Sequence, residues 1–289
     1  MHILVTNDDG IGAPGLLALA EALQGLGDLS VLAPDRNWSA SGHVKTMHRP
    51  LRVWDTRLHN GMPAHTTDGA PSDCVALAVL GLLHAPIDFV VSGINPHANV
   101  GHDVTYSGTV TAGMEAAIAG LPGVAVSLDS PEGHAEPLDY GPAAQVARRV
   151  VELTIERGLP RGVLLNLNVP FLSLGAMRGV YITRLGLRIY RDALVRREDP
   201  RQRPYYWIGG EAPTGILEEG TDFWALANGY VWSRPSSSTS PHLPRWLHWK
   251  RGISQFHVPT NASRDDPAIR LILGGQTRGK LLRLGLRPP

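Results

Sequence analysis

The sequence predicts an α/β fold: a Rossmann-like, mostly parallel sheet with helices on both faces, then a C-terminal β-hairpin arm for oligomerisation and an irregular basic tail. Three observations carry this. Short strand-type apolar runs alternate with helix-type runs as far as Asn168, the pattern of βαβ units. Four of the strand-type runs end in polar loops on one edge, where open α/β sheets bind ligands. From about Tyr181 the chain alternates apolar and polar residues around a charged, proline-marked turn, the period of a two-stranded ribbon.

In chain order, His2–Thr6 reads as the first strand, and Pro14 opens a helix running to about Leu26, since proline is well tolerated in a first turn. Leu29–Ala33 is a second strand closed by Pro34, and the polar loop "DRNWSASGHVKT" follows. Pro71 begins a helix through Leu83. Asp88–Ser92 has the continuous apolar character of a strand buried on both faces. A glycine- and asparagine-rich loop, "GINPHANVGHDVTYSGT", leads into a helix over Val110–Ala119. Val124–Leu128, Pro142–Arg157 and Val163–Asn168 then read as strand, helix and strand. The organisation expected is a catalytic domain over 1–180, the hairpin arm and terminal segment over 181–232, and an atypical Pro- and Ser-rich tail over 233–289.

A chain of 289 residues is long enough to bury a sizeable core. Its single cysteine, Cys74, excludes an internal disulfide and a multi-cysteine zinc site. The chain enters its first strand at once, without a basic, apolar leader, so the expected compartment is the cytoplasm. The longest apolar stretch is broken by His84, Pro86 and Asp88, which excludes a membrane span there. Charge is unevenly spread. Residues 233–289 hold ten Lys and Arg against two acids, net +8, leaving 17 against 24, net −7, in residues 1–232. Such a tail attracts polyanions without sequence preference, and no nucleic-acid-binding module accompanies it; no specific nucleic-acid partner is expected.

Chemistry concentrates in three places. "TNDDGIGAPG" contains a literal G-x-G-x-x-G at Gly10, Gly12 and Gly15, preceded by Asp8 and Asp9. Asp35, at the end of the second strand, stands where a ribose-binding acid belongs in a dinucleotide fold. Adjacent carboxylates repel, however, and burying both costs several kcal/mol unless a cation or hydrogen bonds compensate. A solvated turn with an aspartate helix cap is the plainer alternative. The second place is Asn37–His43, "NWSASGH", whose small hydroxyls and Gly42 allow close backbone approach. The third is Ser92–Gly113, in which Ser107, Gly108 and Thr109 lie at a predicted helix N-terminus, a natural anion site. An ordinary N-cap explains the same residues. His43, His97 and His102 fall in these loops without metal-ligand spacing and read as surface or structural histidines.

Together, "ILVTNDDGIGAPGL", "APDRNWSASGH", "DCVALAV", "DFVVSGIN", "NVGHDVTYSGTV", "NLNVP" and "GTDFWALANGYV" resemble the SurE (survival protein E) family of metal-dependent 5′/3′-nucleotidases, in order and spacing over most of residues 1–232. The resemblance implies a phosphomonoesterase that releases phosphate from nucleoside monophosphates with one divalent cation, Mg²⁺ or Mn²⁺, and that also trims short polyphosphate in some members. By position it implies Asp8, Asp9, Ser39 and Asn95 as metal ligands, Asp8 and Asp9 as catalytic residues, and Asn95, Ser107, Gly108 and Thr109 as phosphate contacts. It also implies a homodimer or homotetramer that exchanges the hairpin arm. An oxygen-only donor set suits these hard ions. Three departures stand out: His97 where the family has glycine, Ala70 where it has threonine, and a composition change near Trp232 that suggests a late extension or fusion. The alternatives are a dinucleotide-binding oxidoreductase and a catalytically impaired nucleotide-binding protein.

Overall fold

The computed structural model describes residues 1–237 and 272–273. Its first strand, β1 (His2–Thr6), is buried along its whole length and lies near the middle of the sheet. Alternate residues point to opposite faces, so Ile3 and Val5 join one hydrophobic cluster while Leu4 joins another. Both faces must therefore be covered. Helices α1 (Pro14–Leu23) and α4 (Gly141–Arg157) cover the first, with Leu16, Leu19, Val146 and Val150 in that cluster. On the other face lie α2 (Pro71–Leu77) and α3 (Gly108–Ile118), which contribute Cys74, Val75, Ala112 and Ala116.

The main sheet adds β2 (Asp28–Pro34), β3 (Val53–Arg57), β4 (Pro63–Thr67), β5 (Phe89–Asn95), β6 (Gly123–Asp129), β7 (Val163–Pro170), β8 (Val180–Ile182), β11 (Val231–Ser237) and β12 (Ile272–Leu273). Its order is β12-β8-β11-β7-β6-β5-β1-β2-β4-β3. The run from β7 to β4 is parallel, while β3 pairs antiparallel with β4 and β11 antiparallel with β7. The predicted doubly covered, mostly parallel sheet is the observed architecture. β1 and β5 meet at its centre, with Thr6 beside Ser92, so their C-terminal ends open into one crevice.

Two local differences have clear causes. The helix expected over Pro71–Leu83 ends as α-helix at Leu77 and continues as a wider turn to Leu82, because Gly81 adopts φ +98°. β3, the edge strand, and its neighbour β4 follow the polar loop and are half-exposed, and their Asp, Arg and His residues carry no alternating pattern.

The arm is a two-stranded antiparallel ribbon of β9 (Arg188–Glu198) and β10 (Pro204–Gly215). Its turn is closed by the Asp199 carboxylate, which accepts from the amides of Arg201 and Arg203 at 2.8 and 2.9 Å. Tyr181, the residue at which the change of pattern begins, lies in β8 of the main sheet. β11 runs on through Ser237, into the stretch read as tail, and buries Trp232 completely. Apart from that strand and β12, the tail lies outside the described residues.

Candidate metal and phosphate site

β1 ends at Thr6 and the chain turns through Asn7–Gly10. The Asn7 side chain donates to the Gly10 carbonyl at 2.9 Å, and Gly10 takes φ +98° against the backbone of Arg36. This tight turn points Asp8 at the N-terminus of α3. There Thr109 Oγ1 donates to Asp8 Oδ1, while Ser107 caps the helix by accepting from the Val110 amide at 3.1 Å. A methyl group on Gly108 would lie 2.6 Å from Asp8 Cβ, so only glycine admits the carboxylate so close to the helix. Burial pushes the Asp8 carboxyl above its usual range, opposed by the Thr109 hydroxyl and the amides of Thr109 and Gly108.

Asp9 is less enclosed. Its Oδ1 accepts from Asn37 Nδ2 at 3.3 Å, whereas its Oδ2 is buried without a partner among the described residues. Burial, and then the charge of Asp8, push its carboxyl up to about 7. Neighbouring Asn7 Oδ1 is likewise buried and unpartnered. Orphaned buried oxygens are rare because each costs about 1–3 kcal/mol. A divalent cation would compensate both and draw the two carboxylates back to the ionised form. The oxygen-rich residues present thus fit the implied ion.

Ser39 reaches this place through its loop. The Trp38 amide donates to the Asp8 carbonyl at 2.7 Å, and the Ser39 amide donates to Asn37 Oδ1 at 2.7 Å, so Asn37 links Ser39 to Asp9. Further along, the loop is stitched to the α2–α3 layer. The Gly42 amide donates to the Tyr106 carbonyl at 2.9 Å. His43 and Lys45 contact Glu115 of α3 at 3.0 and 2.8 Å, and Thr46 binds Asp73 of α2. Asn95 ends β5, the neighbour of β1, and its side chain donates to the His97 carbonyl.

The structure therefore brings Asp8 and Asp9, the Asn37–Ser39 turn and Gly108–Thr109 into mutual contact, with Asn95 on the adjacent strand end. It also assigns work that the motifs do not announce. Thr109 is engaged by Asp8 and Ser107 by its own helix. Asn99 is a fastening residue: its amide donates to Asn168 Oδ1 at 2.7 Å and its side chain to Ser127 at 2.7 Å. Asp222, in "GTDF", is fully buried and accepts from the amides of Gly101 and Gly186 at 2.8 and 2.7 Å, joining the glycine-rich loop to the root of the arm. His43 Nε2 contacts Glu115 at hydrogen-bond distance, matching its structural reading.

Sequence reasoning missed three residues. Asn37 orders the loop. Tyr140, at the N-cap of α4, packs its ring against Gly15; burial and the nearby Asp9 carboxylate push its phenol up to about 12. Glu115 anchors His43 and Lys45. Only Asn37 carried a signal, as the first letter of "NWSASGH". Among the described residues no group of three or more His, Cys, Asp and Glu could hold a metal.

The family described as "Survival protein SurE" matches residues 3–192. A relative from Chloroflexus aggregans, "5'-nucleotidase SurE", is 51% identical over 248 residues, covering 86% of this chain and 96% of that protein. The "5'-nucleotidase SurE 1" of Thermus thermophilus is 48% identical, covering 82% of this chain and 92% of its own. Among solved structures, the "Crystal Structure of Sure Protein from Aquifex aeolicus" superposes with a TM-score of 0.69 at 35% identity, covering 87% of this chain and 100% of that one. With the match to that family spanning well over half its length, and relatives covered nearly end to end, the chain belongs to the SurE family.

Proposed function

We propose that this chain is a divalent-metal-dependent 5′/3′-nucleotidase, hydrolysing nucleoside monophosphates to nucleoside and phosphate and accepting short polyphosphate. One observation carries the reading: two adjacent carboxylates end β1, Asp8 buried against the N-terminus of α3 and Asp9 half-buried with an unpartnered oxygen. The names of the relatives support it.

In this reading Asp8, Asp9, Ser39 and Asn95 hold one Mg²⁺ or Mn²⁺, which when bound supplies Lewis acidity toward the phosphoryl group. The protein supplies the rest. Thr109 and the Gly108 and Thr109 amides hold Asp8 in one orientation, and Asn37 holds Asp9. The α3 dipole favours an anion in front of Ser107–Thr109, where charge develops as phosphate leaves. In this reading Asp9, the less enclosed carboxylate, orients the attacking water. A dinucleotide reading finds less support, because Asp8 and Asp9, in the turn between β1 and α1, would face a pyrophosphate held at the N-terminus of α1. The arm exposes Leu194, Trp207 and Ile208, the last at 83%, which favours the homodimer or homotetramer. No helix among the described residues is long and apolar enough to cross a membrane. The lone buried Cys74 accords with a cytoplasmic location.

The test is phosphate release from nucleoside monophosphates with Mg²⁺, Mn²⁺ or EDTA. Release should need the ion and vanish in Asp8→Asn and Asn95→Ala, with the fold intact by circular dichroism. Full rates in EDTA, or in both variants, would overturn the proposal.

A further inference from the structure

A second group of polar side chains lies on the same sheet edge and has no part in the metal site. β6 ends at Asp129, a half-buried carboxylate to which no protein hydrogen bond is found among the described residues. Its neighbours include His97, from the loop after β5, and Arg188, at the start of β9. Arg188 is itself fixed: its guanidinium pairs with Asp103 at 2.8 Å, and Tyr190 donates to the same carboxylate. Arg188 Nε is buried without a partner among the described residues. His97 is exposed, with its ring Nδ1 3.4 Å from Ser130 Oγ, and Ser130 is anchored on the Pro96 carbonyl at 2.6 Å. The Asn95 side chain holds the His97 carbonyl, so a single turn carries both residues.

The sheet order β6-β5-β1 gives this group its distance from the chemistry. Neighbouring strands stand about 4.8 Å apart. Asp129, two strands from the Asp8–Asp9 turn, is thus offset sideways from it by about 10 Å and stands four residues beyond Ala125, which is level with Thr6 through Ser92, so a nucleoside held by its phosphate at the turn can extend toward it. A carboxyl group with open acceptor positions at the sheet edge suits a pair of hydroxyl donors. We infer that Asp129 accepts the ribose hydroxyls of the substrate nucleoside while His97, at the lip, bounds the space taken by its base. The inference rests on the nucleotidase reading and names which part of the nucleotide this chain selects.

The experiment compares kcat/KM in Mn²⁺ for a ribonucleoside 5′-monophosphate, its 2′-deoxy counterpart and p-nitrophenyl phosphate, which carries no sugar. Wild type should favour the ribonucleotide. The near-isosteric Asp129→Asn should lower its kcat/KM about tenfold, the size expected for weakening charge-assisted hydrogen bonds, and bring the ribo-to-deoxy ratio toward one. Turnover of p-nitrophenyl phosphate should stay within about twofold of wild type. His97→Ala should raise KM for both nucleotides and leave the aryl phosphate alone. A parallel fall on all three substrates would make Asp129 a purely structural support of the arm and overturn the inference, as would an unchanged ribo-to-deoxy ratio. A wild type inactive on all three would overturn the nucleotidase reading and the inference with it.

Discussion

Replacing Gly108 with alanine tests how closely the phosphate-side helix and Asp8 depend on each other. The added methyl carbon would stand 2.6 Å from Asp8 Cβ and 3.0 Å from its Oδ2. Carbon atoms rest about 3.5–4.0 Å apart, so one partner must retreat by roughly 1 Å. Either the Asp8 carboxylate leaves its place beside Thr109, or the first turn of α3 moves away from β1. Both displace a proposed metal ligand relative to the anion site, and a 1 Å misplacement can cost about a hundredfold in rate. Overpacking costs about 1–3 kcal/mol, of which alanine's better helix propensity returns up to about 1. The expected variant is therefore folded, destabilised by about 1–2 kcal/mol in urea, and about a hundredfold slower in phosphate release at saturating Mn²⁺. Gly12→Ala is the control, because nothing lies within 4 Å of its would-be methyl. Gly108→Ala with a rate within about threefold of wild type and an unchanged urea midpoint would refute the steric argument.

Asp9 yields a pH-dependent prediction for the EDTA-treated protein. Its folded carboxyl titrates near 7 instead of 3.8, so the folded chain keeps this proton after the unfolded chain has released it. The associated stability is fully present below about pH 4 and lost as pH rises through 7, about 4 kcal/mol in all at about 1.4 kcal/mol per pH unit. Asp9→Asn should therefore match wild type at pH 4 and exceed it in urea at pH 8, and Mn²⁺ should raise stability at pH 8 only in wild type; equal midpoints at pH 8 without metal would refute this. Glu115→Gln removes the anion shared by His43 and Lys45, whose side chains are 31% and 51% exposed, so the stability cost stays at about 1 kcal/mol or less. Because those two residues tether the loop bearing Ser39, half-saturating Mn²⁺ should rise several-fold with kcat at saturation little changed. An unaltered metal titration would show that the tether does not reach the site.

Much of the fold was legible because the central strands are buried on both faces. β1, β5, β6 and β7 present continuous apolar runs, and β1 is matched to the residue. Legibility fades at the edges. β3 and β4 need only one apolar face, and β8 is three residues long, too short to show any period. The proposed ligands cluster at strand ends and helix starts, where polar letters after an apolar run betray themselves. What holds them in place is written elsewhere. Asn37 lies 28 residues from the Asp9 it orients, and Glu115 lies 72 and 70 residues from the side chains of His43 and Lys45 that it gathers. Tyr140 comes from a different helix altogether. Such partners are fixed by tertiary proximity, for which one sequence offers no pattern.

The glycines after Asp9 show how a motif can report geometry while misreporting the ligand. Gly15 is required because a methyl there would lie 2.1 Å from the Ile94 carbonyl, so α1 can rest on β5 only without a side chain. Gly10 is required because the turn passes through φ +98° over the Arg36 backbone. A tight turn after the first strand and a close helix–strand contact are also what a dinucleotide-binding loop asks of its glycines. The shared letters therefore follow from the shared strand–turn–helix crossover. The anion site differs in what fills it. In a dinucleotide fold the helix after the first strand offers its free amides to a pyrophosphate; here the turn instead carries Asp8 across to α3, whose Thr109 engages the carboxylate. The acidic group at that helix end is supplied by the protein itself, and in the proposed reading an anionic substrate approaches it with a cation between them. For that reason the two aspartates, more than the three glycines, specify the chemistry of the loop.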